Sequence, residues 1–229
     1  MIELSDISKV YGPKTAFEAK KLEIPERECL GVVGNNGAGK TTMLSLILDL
    51  IQPTTGVIRS KGNPVAATDA WKSYTGSYLN EGFLIPFLTP VEFLEFVGSL
   101  HGKNRSDLDV FLSDNARFFN HLNYSGKYIR DLSSGNKNKV GILAALFTSP
   151  EIIILDEPFA NLDPGSQALL RDMLKTLNET GITLIISSHD LHHITEICTR
   201  IIVLDEGFIA RDLKVNGNTL TELEEYFRV

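Results

Sequence analysis

The chain has 229 residues, of which 43% are hydrophobic and 22% charged, a balance that excludes a disordered chain and allows one sizeable core. Its 22 basic and 29 acidic side chains give a net charge of −7, which argues against nucleic acid as the primary partner because that affinity depends on neutralising phosphates. No apolar run approaches the roughly 18 residues that span a bilayer, and the first ten residues lack the apolar stretch of a signal peptide. Cys29 and Cys198 form no CxxC pair, so we expect a reducing compartment.

Short strands and turns precede a buried strand at residue 29. The stretches that favour strands are Ile2, Leu4, Ile7–Tyr11 and Leu22–Ile24, with turns at Gly12-Pro13 and Pro25-Glu26. The apolar run Cys29–Val33 then predicts a strand that enters a glycine-rich segment. The next stretch, Lys40–Ile51, is apolar on most sides and therefore predicts a buried helix.

A helical region begins near residue 89 and gives way to alternating strands and helices. Thr89 can cap a helix, Pro90 suits its first position, and Glu92 stands where a capping box needs an acid. The predicted helices of this region are Val91–Leu100, about Asp107–Leu122 and Lys137–Phe147. The alternating elements that follow are the strands Ile152–Leu155, Thr183–Ser187 and Ile201–Leu204 and the helices Gly165–Thr180 and Leu191–Thr199.

This order of elements predicts the fold class. Alternating strands and helices favour a largely parallel sheet with both faces covered, which is an α/β fold. The helical region at 82–150 then forms an insertion between two halves of one core, 1–81 and 151–229. The sequence shows no internal repeat and no obvious linker, so we expect a single domain over 1–229.

The glycine-rich segment predicts a phosphate-binding loop. Its residues are Gly34, Asn35, Asn36, Gly37, Ala38, Gly39, Lys40 and Thr41, and Thr42 follows them. They fit GxxxxGK[ST] between a predicted strand and a predicted helix, the context that supports this motif, whereas a dinucleotide-binding turn would need GxGxxG. Glycines let backbone N–H groups converge on phosphate oxygens, and the helix N-terminus adds positive charge. Lys40 can then reach the β- and γ-phosphates, Thr41 can hold Mg²⁺, and Thr42 can donate to the next phosphate.

Two adjacent carboxylates follow the buried strand Ile152–Leu155. Ligands of open α/β sheets bind at the carboxyl ends of strands, so we expect Asp156 and Glu157 to face the phosphate loop. Asp156 suits the coordination shell of Mg²⁺. Glu157 is placed to orient and polarise a water for attack on the γ-phosphate.

With these motifs the sequence resembles the nucleotide-binding subunit of ATP-binding-cassette (ABC) transporters over nearly its whole length. Four minor motifs carry the resemblance. Each is a weak signal alone, but their order and spacing together are a strong one. They are Tyr11, similar to the aromatic that stacks on adenine; Leu132-Ser133-Ser134-Gly135-Asn136, similar to the LSGGQ signature; Ala160-Asn161-Leu162-Asp163, similar to the D-loop; and Ser187-Ser188-His189-Asp190, similar to the switch segment. The family implies a P-loop NTPase core, an N-terminal antiparallel β subdomain and an inserted α-helical subdomain.

The resemblance also implies a mechanism. Two such domains close head to tail on two ATP molecules, so each ATP lies between the phosphate loop of one chain and the signature of the other. Ser133 and Gly135 would then donate to the γ-phosphate, with Ser134 and Asn136 beside them. His189 would contact the γ-phosphate, and the Asp163 loop would cross the interface. Closure and hydrolysis would be sensed by a membrane partner.

Three residues depart from the family pattern. Ser134 and Asn136 replace a glycine and the glutamine of the signature, which predicts weaker closure. Glu81 stands where the Q-loop normally has a glutamine; both present an oxygen to Mg²⁺, and glutamate adds charge near ATP. Some exporter ATPases of the lantibiotic-immunity branch are similar at this position. The alternative is that Glu81 is a surface residue.

A histidine cluster raises the alternative of a zinc site. His189 and His193 lie four residues apart and His192 stands between them, but no third ligand with suitable spacing follows. We therefore expect His192 and His193 to begin a solvated helix face.

The resemblance predicts an ATPase subunit that uses MgATP, pairs with a second ABC domain and drives a separate membrane-spanning permease from the inner face of the cell membrane. The short ending after Gly207 is more similar to exporter than to importer ATPases, and direction, cargo and permease stay open. The main alternative is a soluble ABC scaffold of the kind used in iron–sulfur cluster assembly. A nucleic-acid-linked ABC ATPase and an ordinary P-loop kinase are disfavoured, the former because two cassettes or long coiled coils are missing from the sequence.

Overall fold

The computed structural model describes residues 1–119 and 126–228. Within these ranges, ten strands form one sheet. The strands are β1 Ile2–Tyr11, β2 Lys14–Ile24, β3 Cys29–Val33, β4 Thr55–Ser60, β5 Asn63–Pro64, β6 Thr75–Tyr78, β7 Ile152–Asp156, β8 Thr183–Ser188, β9 Arg200–Asp205 and β10 Phe208–Lys214. The α-helices are α1 Lys40–Ile47, α2 Pro90–Leu100, α3 Arg105–Asp114, α4 Ala116–Phe119, α5 Ser134–Phe147, α6 Pro164–Glu179, α7 Leu191–Ile197 and α8 Thr219–Phe227.

The sheet is parallel in its core and antiparallel at its N-terminal end. Its strand order is β5-β4-β1-β2-β10-β9-β3-β8-β7-β6. The five strands from β9 to β6 pair in parallel, whereas β1 pairs antiparallel with both β2 and β4. This arrangement confirms the predicted α/β class with an antiparallel N-terminal part.

The central strands are buried on both faces, as their continuous apolar runs predict. Along β7, Ile152 and Ile154 belong to the apolar cluster on one face, which α1 completes through Met43 and Leu44. Ile153 lies in the cluster on the other face, to which α2 to α7 contribute. No helix in the described ranges combines the length and apolar character that crossing a bilayer requires.

The helices α2 to α5 lie in the chain between β6 and β7, inside the predicted insertion. The predicted capping box is present: the Thr89 hydroxyl accepts a hydrogen bond from the Glu92 N–H at 3.3 Å, and the Glu92 carboxylate accepts one from the Thr89 N–H at 2.7 Å. Helix α5 begins at Ser134 rather than Lys137, because Ser133 caps it by accepting from the Asn136 N–H at 3.3 Å. The predicted boundaries of the helical insertion, at residues 82 and 150, stay predictions.

Several predicted bounds are wrong. The helix expected over Lys40–Ile51 ends at Ile47, where the chain turns through the left-handed residue Asp49 at φ +51°. The helix expected over Asp107–Leu122 breaks at Asn115, whose side-chain amide donates to the Phe111 carbonyl at 2.8 Å. Its last predicted residues lie outside the described ranges.

Strands were harder to predict than helices. Strand β2 is far longer than the predicted Leu22–Ile24. Most of it faces solvent on one side and alternates polar with apolar residues, so its sequence contains no continuous apolar run. The sequence does not predict strands β4, β5, β6 and β10. Strand β10 has no buried residue, so its sequence carries little apolar signal.

Gly76 lets α5 pack directly on the sheet. It lies on β6, and a Cβ added there would overlap the carbonyl oxygen of Ala145 in α5. Since that neighbour is backbone, α5 itself would have to move to make room. A glycine is therefore required at this crossing.

We expect Gly76→Ala to destabilise the fold by about 1–3 kcal/mol, the usual range for overpacking a close contact. Gly217→Ala is the matched control, because no atom lies within 4 Å of a Cβ at that position. Urea unfolding of the two variants checks the prediction, and an equal midpoint shift in both would contradict it.

Candidate functional site

The parallel topology brings the polar ends of three strands to one edge of the sheet. Strand β8 lies between β3 and β7, with Val33 paired to Ser188 and Asp156 paired to Ser187. The glycine-rich loop follows β3, and Glu157 follows β7. Groups far apart in the sequence therefore meet at one edge, as the strand-end argument predicts.

The loop ends in a helix whose first residue is the buried Lys40. Gly39 caps α1 in the left-handed region at φ +108°, and a Cβ there would come within 2.5 Å of the Ala16 carbonyl oxygen. The Lys40 ammonium group donates to the Gly34 carbonyl at 2.7 Å and lies 3.4 Å from Glu157 Oε1. The lysine therefore curls back over its own loop.

Asp156 is a buried carboxylate held by two hydroxyl groups. Thr41 Oγ1 donates to its Oδ2 at 2.5 Å, and Ser187 Oγ donates to its Oδ1. Burial raises the pKa of Asp156 above its ordinary value, although these two hydrogen bonds oppose the shift. Sequence reasoning assigned no role to Ser187; its signal was a serine that ends an otherwise apolar strand.

Glu157 has a strained backbone and three polar partners. It is a non-glycine residue at φ +48°, held there because its N–H donates to Ser187 Oγ at 3.0 Å. One carboxylate oxygen faces Lys40, and the other lies 2.7 Å from His189 Nδ1 and accepts from the His189 N–H at 3.2 Å. The predicted catalytic residues Glu157, His189 and Lys40 are therefore in contact.

One cleft, which we call the Lys40 cleft, collects most of the predicted phosphate-binding residues, while Gly34 and Ala38 are buried and do not line it. It is lined by Tyr11, Lys14, Ala16, Asn35, Asn36, Gly37, Gly39, Lys40, Thr41, Thr42, Asp156 and Glu157. Tyr11 lines this cleft with 54% of its surface exposed, and the Lys9 ammonium lies 4.9 Å from the centroid of its ring. Lys14 and Ala16 were not predicted; they come from β2, whose full length the sequence did not indicate.

The signature-like segment lies outside the Lys40 cleft, although its residue Ser134 lines a second cleft with Asp156 and Glu157. Ser133, Gly135 and Asn136 do not line the Lys40 cleft. A Cβ on Gly135 would overlap the carbonyl oxygen of Asn161, so the start of α5 packs on the loop after Glu157.

Asp163 caps α6 at the end of that loop. Its carboxylate accepts from the Ser166 hydroxyl at 2.5 Å and from the Ser166 N–H at 3.0 Å, and these bonds lower the pKa of Asp163 to about 2. The acid is thus held ionised at a helix N-terminus, where negative charge is favourable.

Glu81 follows β6 and forms an ion pair with Lys137 of α5 at 3.0 Å. It lines a second cleft together with Asp156, Glu157 and Ser134. In this arrangement its carboxylate is bound to an ammonium group rather than directed at Asp156.

The histidine prediction needs one correction. His192 is exposed, as expected, but His193 is half-buried and stacks on Phe159 with ring centroids 4.4 Å apart. The apolar side of its ring packs against the loop after Glu157, which is why it does not face solvent. Among the described residues, no group of three His, Cys, Asp or Glu side chains is arranged to hold a metal ion.

Known proteins share this sequence and this fold. Residues 17–160 match the protein family described as ABC transporter. The chain is 33% identical to the ABC transporter ATP-binding protein YhaQ of Bacillus subtilis over 90% of this chain and 69% of that protein. It is 32% identical to the ABC transporter ATP-binding protein NatA of Bacillus subtilis over 90% of this chain and 87% of NatA. A solved dimer of the ATP-binding cassette MJ0796 in a post-hydrolysis state with ADP and Pi is 27% identical, with a TM-score of 0.84, covering 95% of this chain and all of that one.

The electrostatics of Asp156 predict an opposition between stability and function. Asp156→Asn removes a desolvated charge that faces Glu157, so we expect the variant without ligand to unfold at or above the wild-type temperature. Asp163→Ala is the comparison, because it removes a helix cap and should cost about 1 kcal/mol. Thermal unfolding followed by circular dichroism measures both, and a fall in Tm for Asp156→Asn as large as that for Asp163→Ala would refute the prediction.

Proposed function

The chain belongs to the ABC transporter family, and we propose that it closes head to tail with a second ATP-binding domain on two MgATP molecules to drive a separate membrane-spanning subunit. Family membership makes it an ATP-binding subunit with ATPase activity. The observation that carries the proposal is the contact of Glu157 with both Lys40 and His189, at a cleft that Lys40 and Glu157 line together with Thr41 and Asp156. In this proposal residues 82–150 form the helical subdomain of a core over 1–81 and 151–229.

The residues around Asp156 fit a magnesium ion. A carboxylate and a hydroxyl are the hard oxygen ligands that Mg²⁺ prefers, and Thr41 and Asp156 already lie 2.5 Å apart. The raised pKa of Asp156 marks a charge that the protein only partly compensates, so a cation is favoured there. The ion supplies neutralisation of phosphate charge when bound. Glu81 is the third proposed ligand, and it must leave Lys137 to serve.

The remaining residues have two proposed roles, phosphate binding and proton transfer. The exposed loop residues Asn35 to Gly37 and the N-terminus of α1 present backbone N–H groups to the phosphates, with Lys40 above them. Glu157 orients and accepts a proton from the attacking water, and His189 holds that carboxylate by its contact at 2.7 Å.

A second chain is needed to complete the site. Since Ser133 does not line the Lys40 cleft of its own chain, we propose that it caps the nucleotide bound by a partner. The Ser133 hydroxyl and the N-terminus of α5 supply donors for the γ-phosphate. Dimeric solved cassettes of 27% identity support this arrangement.

An apolar groove on the surface is the observation that supports a membrane-spanning partner. It lies between β6 and helices α2 and α5, and its floor includes Trp71, Tyr78 and Phe93, with the exposed Phe83 at its rim. Tyr78 also lines the cleft that contains Glu81, so a segment seated in this groove would touch the nucleotide site. We propose that a cytoplasmic segment of the permease binds here, which places the chain at the inner face of the cell membrane.

Co-purification tests whether the chain binds a membrane-spanning subunit. A tagged full-length chain should be recovered from detergent-solubilised membranes with a polytopic membrane protein, and Phe83→Ser should reduce that recovery while Phe208→Ser, at an exposed position in β10, should not. Recovery of a wholly soluble complex instead would favour the cluster-assembly scaffold and overturn the transport proposal.

To test phosphate binding, we expect Lys40→Ala to lower the affinity for ATP at least tenfold, because it removes the buried ammonium group that would form charge-assisted hydrogen bonds with the phosphates. The exposed Lys20→Ala is the control of equal charge change. Isothermal titration calorimetry with ATP and Mg²⁺ measures both affinities, and unchanged binding by the Lys40 variant would contradict the assignment.

For the base, we expect Glu157→Gln to slow ATP hydrolysis by about 10²–10⁴ while ATP still binds, since an amide cannot accept the proton. The variant should then accumulate as an ATP-bound dimer. Steady-state phosphate release and light scattering with ATP provide the two readouts. Glu151→Gln, an exposed acid just before the same strand, is the control, and brisk turnover by Glu157→Gln would assign the base elsewhere.

A further inference from the structure

The loop that follows the proposed base is held by side-chain amides at three successive carbonyl groups. Asn138 Nδ2 donates to the Pro158 carbonyl at 2.8 Å and to the Ala160 carbonyl at 2.8 Å. Gln167 Nε2 donates to the intervening Phe159 carbonyl at 3.1 Å. We call residues 157–161 the acid loop. Its backbone is fixed from two sides, by α5 through Asn138 and by α6 through Gln167.

Asn138 is a polar side chain in an otherwise apolar position. Only 6% of its surface is exposed, and it stands in α5 beside a run of buried residues. A buried amide is tolerated only when its hydrogen bonds are made, and both donors of the Asn138 amide are used on the acid loop. Core packing alone would be satisfied by a leucine of similar volume.

The same helix carries the signature-like segment. Ser133 caps α5 five residues before Asn138, and Gly135 packs against the Asn161 carbonyl with no room for a Cβ. Lys139, also in α5, lies 3.8 Å from the Asp163 carboxylate just beyond the loop. The start of α5 and the acid loop are therefore joined at several points, with Asn138 making the central contacts.

Glu157 is sensitive to this bracing. Its backbone at φ +48° is disfavoured for a glutamate and persists because surrounding groups hold it. A shift of the Pro158 and Ala160 carbonyls would turn the Glu157 carboxylate relative to Lys40 and His189. Motion at the start of α5 is thus transmitted to the base through the Asn138 amide.

We propose that Asn138 is a positioning residue that couples the two nucleotide sites of the dimer. This inference rests on the proposed head-to-tail closure, in which Ser133 contacts the nucleotide held by the partner while Glu157 serves the nucleotide of its own chain. Closure of the signature on one nucleotide then sets, through Asn138, the position of the base at the other. Gln167 holds the same loop from α6, which carries no signature, so it braces the base without linking it to Ser133.

The experiment compares Asn138→Leu with Gln167→Leu in the full-length chain. Each removes amide donors to the acid loop, and steady-state ATP hydrolysis is measured as a function of ATP concentration at a protein concentration that supports the dimer. We expect a wild-type Hill coefficient between 1 and 2, the limit for two coupled sites. Asn138→Leu should lower kcat at least tenfold, leave the half-saturating ATP concentration within twofold, and bring the Hill coefficient to 1. Gln167→Leu should lower kcat while keeping the wild-type Hill coefficient.

The outcomes separate this inference from the function on which it rests. Loss of cooperativity in both variants, or in neither, would overturn the role of Asn138. A wild-type Hill coefficient of 1, with ATP-induced dimerisation of Glu157→Gln intact, would overturn the coupling and leave the ATPase dimer standing. Failure of Glu157→Gln to dimerise would instead count against the proposed function. Asn138→Ala removes the same donors without added bulk and replaces Asn138→Leu if thermal unfolding shows that the leucine variant does not fold.

Discussion

The buried carboxylate of Asp156 is the constraint around which the rest of the site is arranged. It ends an apolar strand inside the sheet, where an unpaired charge is unfavourable, and it is stabilised by hydroxyl groups from two other segments, Thr41 and Ser187. Those bonds tie the phosphate loop, strand β7 and strand β8 into one assembly. Lys40, Glu157 and His189 lie in these segments or directly follow them, whereas Tyr11 comes from β1 and Glu81 follows β6.

The helical block is connected to this assembly through α5. Gly76 brings α5 against the backbone of the sheet, Glu81 pairs with Lys137, and Asn138 holds the acid loop. A single helix therefore contacts the sheet, the proposed magnesium ligand and the proposed base, while its N-terminus carries the signature-like segment. An apolar groove along the same helix offers a surface on which a partner could sense its position.

The sequence predicts the residues of the site more completely than it predicts the strands of the fold. Lys40, Thr41, Asp156 and Glu157 were predicted because their chemistry depends on a short local pattern beside an apolar strand, and such patterns are visible in a single sequence. Strand β10 and most of β2 were missed because their stability comes from neighbouring strands rather than from their own apolar residues. His193 was misplaced because its burial depends on Phe159, thirty-four residues earlier in the chain. Asn138 gave no signal, since the carbonyl groups it binds belong to a loop whose path only the fold defines.

The contact between Lys40 and Glu157 has a consequence for the cleft without its ligand. Ammonium and carboxylate are each other's counterion there, so the charge of Lys40 is neutralised and the Glu157 carboxylate is occupied. A triphosphate that draws the lysine away both fills the loop and uncovers the carboxylate in one movement. In the proposed mechanism, Glu157 would then accept a proton from water only once a phosphate is bound.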